Sequence, residues 1–171
     1  GIFYNGQVFD AYAFVSDIIR SAGSSIILLD NYVDDTVLTL LGKRNDNVTA
    51  TILTKSISHQ LRLDLQRYNS QYTVIDIEIF SDAHDRFLII DNTELYHIGA
   101  SLKDLGKKWF AFSRMDIEVG RMRQILNKPL KRTSEFFRGF LLSITPNTAS
   151  QSQTLQHSQR HLLSLIILGF K

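Results

Sequence analysis

Cysteine is absent from the chain, which excludes disulfides and thiolate metal sites and fits a reducing cytoplasm. The longest apolar stretch at the carboxyl end, 162–170, is too short to span a bilayer, and no segment reads as a membrane-binding face. No signal peptide opens the sequence, which starts at Gly1 rather than Met; the expectation is a piece of a longer cytoplasmic protein. His157 and His161 stand four apart, but no third ligand accompanies them, so neither a metal nor any other cofactor is expected. With 171 residues and 44% hydrophobic content, the chain is long enough for one substantial core and too short for two ordinary domains.

The net charge of +2 conceals an uneven distribution. Residues 1–102 carry 7 Lys+Arg against 13 Asp+Glu, whereas residues 103–171 carry 12 against 4. About half of the basic residues lie between Lys103 and Arg138, as a surface for an anionic polymer would require. A solvated basic face, or a partner for the acidic half, would give the same count. Residues 145–159 are nearly all Thr, Ser, Asn, Gln and Pro and read as a linker, so the chain divides into a folded domain over 1–127 and a basic, low-complexity and apolar tail over 128–171.

Within the folded part, Ala11, Phe14, Val15, Ile18, Ile19 and Ala22 recur at helical spacing, with Asp10 as the expected N-cap and Gly23 as the stop. The run 25–30 is continuously apolar until Asp30, as in a strand buried on both faces. Asp34-Asp35 opens a second helix with Val37, Leu38, Leu40 and Leu41 on its inner face. A strand over 48–53, a helix over 57–68 capped by Ser56, and an alternating strand over 74–80 follow. This order predicts an α/β fold with a mixed, mostly parallel sheet flanked by helices, extended by a hairpin at 86–99 and a strand near 109–115, with Trp109 in the core. In such sheets ligands bind beyond the carboxyl ends of the strands, which makes Asp30-Asn31-Tyr32 and Thr54-Lys55 candidate walls, with Asn31 and Lys55 as phosphate donors. Lys103, Lys107, Lys108 and Trp109 make a basic and aromatic cluster suited to phosphate and base contacts.

Reactive groups concentrate at His84-Asp85-Arg86 and Gly99-Ala100-Ser101. If Asn92-Thr93 forms a two-residue turn, Asp91 pairs with Glu94, Arg86 faces Gly99 and His84 faces Ser101. Histidine is suited to attack phosphorus near neutral pH. A guanidinium can bind two phosphate oxygens, Gly99 would let a ligand approach the backbone, and Ser101 can donate a further hydrogen bond. A lone histidine at a strand end is also an ordinary surface residue.

The pattern His84-x-Arg86-x4-Asp91 followed by Gly99-x-Ser101 resembles the signature of the phospholipase D superfamily, present here in one copy. Gln7–Tyr12, Asp30–Asp35, Ile98–Lys108 and Ala111–Asp116 look more particularly like a phospholipase D-like module of bacterial and phage proteins, where it follows a DNA-binding domain of phage-regulator type. The resemblance implies His84, Arg86, Asp91 and Ser101 as catalytic residues and Gly99 as a substrate-binding one, to which the strand-end and basic-cluster positions add Asn31, Lys55 and Lys103. Parity places Asp91 on the other face of its strand, so its part would be to orient backbone or turn groups. Three departures stand out: Arg86 replaces the usual lysine, the second motif lacks its Asn, and the strand near 109–113 has no carboxylate to orient the histidine. Two functions follow. One is a metal-independent phosphodiesterase acting on nucleic acid, in which a homodimer supplies the two histidines that the chemistry needs. The other is a noncatalytic dimerisation or DNA-binding module of a phage-type regulator.

Overall fold

A computed structural model describes residues 1–116 and 119–126. The expected linker at 145–159, the apolar end at 162–170, the histidine pair 157/161 and the tail boundary at 127 all lie outside the described residues. Seven strands form one sheet in the order β1-β7-β6-β5-β2-β3-β4, where β1 is Ile2–Phe3, β2 Ser25–Leu29, β3 Thr49–Thr54, β4 Ile75–Ile79, β5 Arg86–Ile90, β6 Glu94–Ile98 and β7 Phe110–Met115. The helices are α1 (Val8–Ser21), α2 (Asp35–Leu41), α3 (His59–Asn69) and α4 (Val119–Leu126).

The sheet is mixed, as the element order implied, but it is not mostly parallel. Only β2–β3 and β3–β4 run parallel, whereas β1–β7, β7–β6, β6–β5 and β5–β2 are antiparallel. The two βαβ units end at β4, and the rest of the sheet grows from β2 by short connections, which can only reverse direction. Strand alternation sorts the core into two layers. Ile26, Leu28, Ile52, Ile77, Leu88 and Ile90 face α1, α2 and α3, and Leu29, Leu53, Ile89 and Leu95 pack on the other face with Val119 and Leu126 of α4. Ile79 departs from its alternating pattern and is exposed at the end of an edge strand.

Helix starts differ from the expected ones. α1 begins at Val8 with Gln7 in the cap position and Asp10 in its first turn, where the carboxylate meets the positive end of the helix dipole instead of capping it. α3 is capped by Ser58, whose hydroxyl accepts from the Leu61 amide at 3.1 Å, rather than by Ser56. The cap of α2 is as expected: Asp34 accepts from the Thr36 amide at 3.1 Å.

The hairpin is one residue out of the expected register. Ile90 pairs with Glu94, so Arg86 lies opposite Ile98 and Phe87 opposite His97. The loop is Asp91-Asn92-Thr93, closed by the Thr93 amide donating to the Ile90 carbonyl at 3.0 Å. Asp91 (φ 52°) and Asn92 (φ 57°) take the left-handed conformation. A two-residue turn over Asn92-Thr93 would have required positive φ at the β-branched Thr93, whereas Asp and Asn tolerate it. The Asp91 carboxylate accepts from the amides of Gly23 (2.8 Å), Ser24 (2.7 Å) and Ser25 (2.9 Å) and from the Ser24 hydroxyl (2.9 Å). It thereby ties the hairpin tip to the α1–β2 turn, the backbone-orienting part that parity assigned to it.

Those amides hold the Asp91 carboxyl far below the usual carboxylate range. A depressed folded-state pKa gives stability that is complete above the unfolded value near 4 and lost as pH falls below it. Asp91→Asn should therefore cost about 1–2 kcal/mol at pH 7, a figure reduced for the partial exposure of the group. In urea denaturation the difference from wild type should shrink steadily as pH drops below about 4. A difference independent of pH would show that the charge of Asp91 contributes nothing.

Candidate phosphate-binding site at one edge of the sheet

The antiparallel junction between β2 and β5 brings the carboxyl ends of β1, β2, β3, β4 and β6 to the same edge of the sheet as the amino ends of β5 and β7. Segments distant in sequence meet there. At its centre is Asp30, the residue following β2, with only 1% of its surface exposed. One carboxylate oxygen accepts from the Ser101 hydroxyl and the Leu102 amide, both at 2.8 Å, and the other from the Tyr32 amide at 3.0 Å. The Ser101 hydroxyl also lies 2.8 Å from the Tyr32 carbonyl. Burial pushes the Asp30 carboxyl above its ordinary value, against the Leu102 and Tyr32 amides, the Ser101 hydroxyl and the Arg86 charge, which pull it down.

Asp30 thus fixes Tyr32, whose ring gathers three cations. Lys55 Nζ lies 4.7 Å from its centroid, Arg86 Cζ 5.6 Å and Lys103 Nζ 6.0 Å. Among the described residues none of the three makes an ion pair within 4 Å. Arg86 Nε is in addition buried without a hydrogen-bond partner. Tyr32, Arg86, Gly99, Ser101, Lys103 and Trp109 border a cavity of about 490 Å³, with Lys108 and the ion pair of Lys107 and Asp104 (2.8 Å) completing its lining. That size lies within the roughly 300–1,000 Å³ of small-ligand sites.

The structure brings together Arg86, Gly99, Ser101 and Lys103, with Lys55 over the same tyrosine, although not through the expected pairings. Beyond Ile98 the chain leaves β6, and the bond to Asp30, not the hairpin register, carries Ser101 to the site. Gly99 lines the cavity for a reason other than ligand approach: a Cβ there would stand 2.9 Å from the Ala111 carbonyl oxygen, so the glycine admits β7. Asn31 is spent on structure, its Nδ2 donating to the Ala83 carbonyl at 2.8 Å. Asp91 lies at the opposite end of β5.

His84 is not on a strand. It occupies an exposed bend before β5, does not line the cavity, and makes no hydrogen bond or ion pair among the described residues. The parity argument that aligned it with Arg86 therefore does not apply. Trp109, expected in the core, is 69% exposed and packs at right angles to Tyr4, with centroids 4.8 Å apart. Sequence reasoning placed Asp30 and Tyr32 among the walls of the site, and Tyr32 does line the cavity, but it did not foresee the Asp30 bonds to Ser101 and Leu102 or the gathering of cations on the Tyr32 ring.

No protein-family profile and no curated protein matches the chain. Solved structures do. A phospholipase D family member, Nuc from Salmonella typhimurium, superposes with a TM-score of 0.54 at 15% identity, covering 72% of this chain and 88% of its own. The fold is phospholipase D-like. NucT from Helicobacter pylori is similar over 77% of this chain and 95% of its own, with a TM-score of 0.56 and 13% identity. The archaeal chromatin protein TrmBL2, at a TM-score of 0.46 and 12% identity over 81% of this chain and 52% of its own, is too distant to bear on the fold. Among the described residues of this phospholipase D-like module, no helix is long and apolar enough to cross a membrane.

Removing the Asp30 carboxylate should strand the Leu102 and Tyr32 amides, whereas the Ser101 hydroxyl can still donate to the Tyr32 carbonyl 2.8 Å away. Asp30→Ala is expected to lose about 2–4 kcal/mol in urea denaturation, and Asp30→Asn a similar amount, because both carboxylate oxygens accept from backbone amides and the asparagine NH2 would face one of those donors. A loss below about 1 kcal/mol for the alanine variant would remove Asp30 from the centre of the site.

Proposed function

We propose that this phospholipase D-like module binds the phosphodiester backbone of nucleic acid at the cavity bordered by Tyr32, Arg86, Ser101 and Lys103. The observation that carries this reading is the convergence of Lys55, Arg86 and Lys103 on one tyrosine ring without an ion-paired carboxylate. Like charges gathered this closely repel each other, and a bound anion relieves the repulsion. Arg86 supplies a planar fork for two phosphate oxygens, with Lys55 and Lys103 as point charges beside it. Lys108 extends the positive surface along the rim, beside the Lys107–Asp104 ion pair at 2.8 Å, which favours a polymer over a single phosphate. The part of the substituted lysine is then that of a permanent anion anchor, which a guanidinium fills well.

A second reading, phosphodiester hydrolysis, is favoured by the position of His84 two residues before Arg86, in the segment that Asn31 pins through the Ala83 carbonyl. In that reading His84 attacks phosphorus, a phosphohistidine forms as the bond to the leaving oxygen breaks, and the histidine of a second chain protonates that oxygen. Hydrolysis of the phosphohistidine restores the enzyme. A homodimer with the two sites facing each other is then required, since each chain supplies one motif. His97, paired with Phe87 and 3.9 Å from Asp85, is not that second histidine, because it shares the strand face of Phe87, opposite that of Arg86.

Binding of fluorescein-labelled DNA, followed by anisotropy across a salt series, tests the first reading. Arg86→Ala and Lys103→Ala should each weaken binding and lower the salt slope by about one counterion. Slopes and affinities that match wild type in both variants would refute the proposed surface. The same DNA incubated in EDTA, with wild type and His84→Asn in parallel, decides between the readings. Cleavage by wild type alone establishes hydrolysis. Intact DNA in both, with binding retained, leaves the noncatalytic module. Sedimentation as a monomer at tens of micromolar, well above the Kd of a specific complex, would eliminate the two-histidine mechanism.

A further inference from the structure

Tyr32 and Trp109 border the same cavity but offer a ligand opposite things. The Tyr32 ring is occupied by Lys55, Arg86 and Lys103, so it presents charge. Trp109 has no cation over its ring among the described residues, is 69% exposed, and touches its aromatic neighbour, Tyr4, only at right angles. That edge-on contact leaves an indole face uncovered, while Tyr4, itself 49% exposed, fixes the ring from one side.

The backbone holds this pair in place. Trp109 directly precedes β7, whose Phe110 pairs with Phe3 of β1, and Tyr4 directly follows Phe3, so both aromatics extend from one strand pairing. Gly106 closes the loop against the start of α1: the Gly6 amide donates to its carbonyl at 3.0 Å. Its φ of +70° and a would-be Cβ 2.5 Å from the Gln7 carbonyl oxygen permit no other residue without a shift. A large apolar ring held out into water on a braced loop, beside Lys107 and Lys108, loses the burial that tryptophan normally gains.

From this we infer that Trp109 is a base-stacking platform, and that the polymer bound by this module is single-stranded nucleic acid. The inference rests on the reading of the cavity as a phosphodiester site and specifies its substrate class. The cations around Tyr32 hold a backbone phosphate, and the base of an adjacent nucleotide lies on the indole face. In a duplex both faces of every interior base are already stacked on neighbours, so this surface is available only to unpaired bases. Stacking of this kind tolerates any base, since each has a π face, and the module is therefore selective for strandedness and not for sequence.

Trp109 is the only tryptophan of the chain, which makes its emission a direct reporter. Titration of the full chain with an oligothymidylate of about 15 nucleotides, a length of the order of one binding site, should quench that emission. A duplex of equal length should bind without quenching, and inorganic phosphate should do the same. In parallel anisotropy measurements, Trp109→Ala should weaken binding of the single strand about tenfold or more, Trp109→Phe should restore most of it, and neither should change duplex binding or the salt slope. Equal quenching by duplex, or undiminished single-strand binding by Trp109→Ala, would overturn the stacking assignment. If Arg86→Ala still weakens both DNAs, the phosphodiester site survives that result and only the platform is lost. If neither Arg86→Ala nor Trp109→Ala alters any binding, or if no DNA binds at all, both readings fall together.

Discussion

The bond network of one buried carboxylate, Asp30, is the constraint on which the binding edge depends. It joins the end of a parallel strand to a turn 71 residues further along the chain, and it orders Tyr32 through the intervening backbone. Beyond the end of β6 at Ile98 it holds the 101–102 backbone beside β2. The buried Leu102 side chain and the Gly99 amide, bonded to the Ala111 carbonyl at 2.8 Å, anchor the same segment. Burying a carboxylate is costly, and three donors together with the nearby guanidinium of Arg86 offset that cost. The cavity is thus lined with positive charge while its floor is held by negative charge, which lets several cations be concentrated without destabilising the fold beneath them.

The two ends of the sheet divide the work. At the end away from the cavity, Asp91 ties the hairpin to the α1–β2 turn. Buried Arg44 there donates to the carbonyls of Leu41, Val48, Thr73 and Val74, clamping the α2–β3 and α3–β4 connections. These polar groups are consumed by the backbone, and nothing remains for a ligand. At the cavity end the carboxylate works the same way, but the cations are left over. An identical chemistry of charged side chain and backbone therefore clamps the connections at one end and leaves Lys55, Arg86 and Lys103 without ion pairs among the described residues at the other.

The elements with strong period were legible in the sequence: α2, the buried run of β2 and the alternating β4 fall within a residue or two of their expected places, and α1 is capped three residues earlier than expected, at Gln7 instead of Asp10. The phospholipase D-like fold was legible from the motif residues. What could not be read was anything decided across the sheet. The majority antiparallel character follows from the short connection after β4, which turns β5 back, and local pattern does not encode that β5 then joins β2. The register followed a rule that was available, since Thr93 is poorly suited to positive φ, but the Asn-led turn obscured it. Trp109 was assigned to the core because large apolar side chains usually are buried, and Arg44 was passed over because one arginine in a polar loop gives no sign of burial. Grouping Arg86 with Ser101 named residues that do meet, for a pairing that does not exist.

The strand pairing β1–β7 has a consequence in time. Its residues are more than a hundred positions apart, so while the chain is being synthesised the parallel half, β2 to β4, can assemble long before β7 is available. Closing so long a loop is slow and adds its contacts only at the end. The indole, the rim lysines and the outer wall of the cavity therefore arrive together, after the core has packed. The edge that carries Trp109 and Lys108 is thus completed last, when β7 closes the sheet against β1.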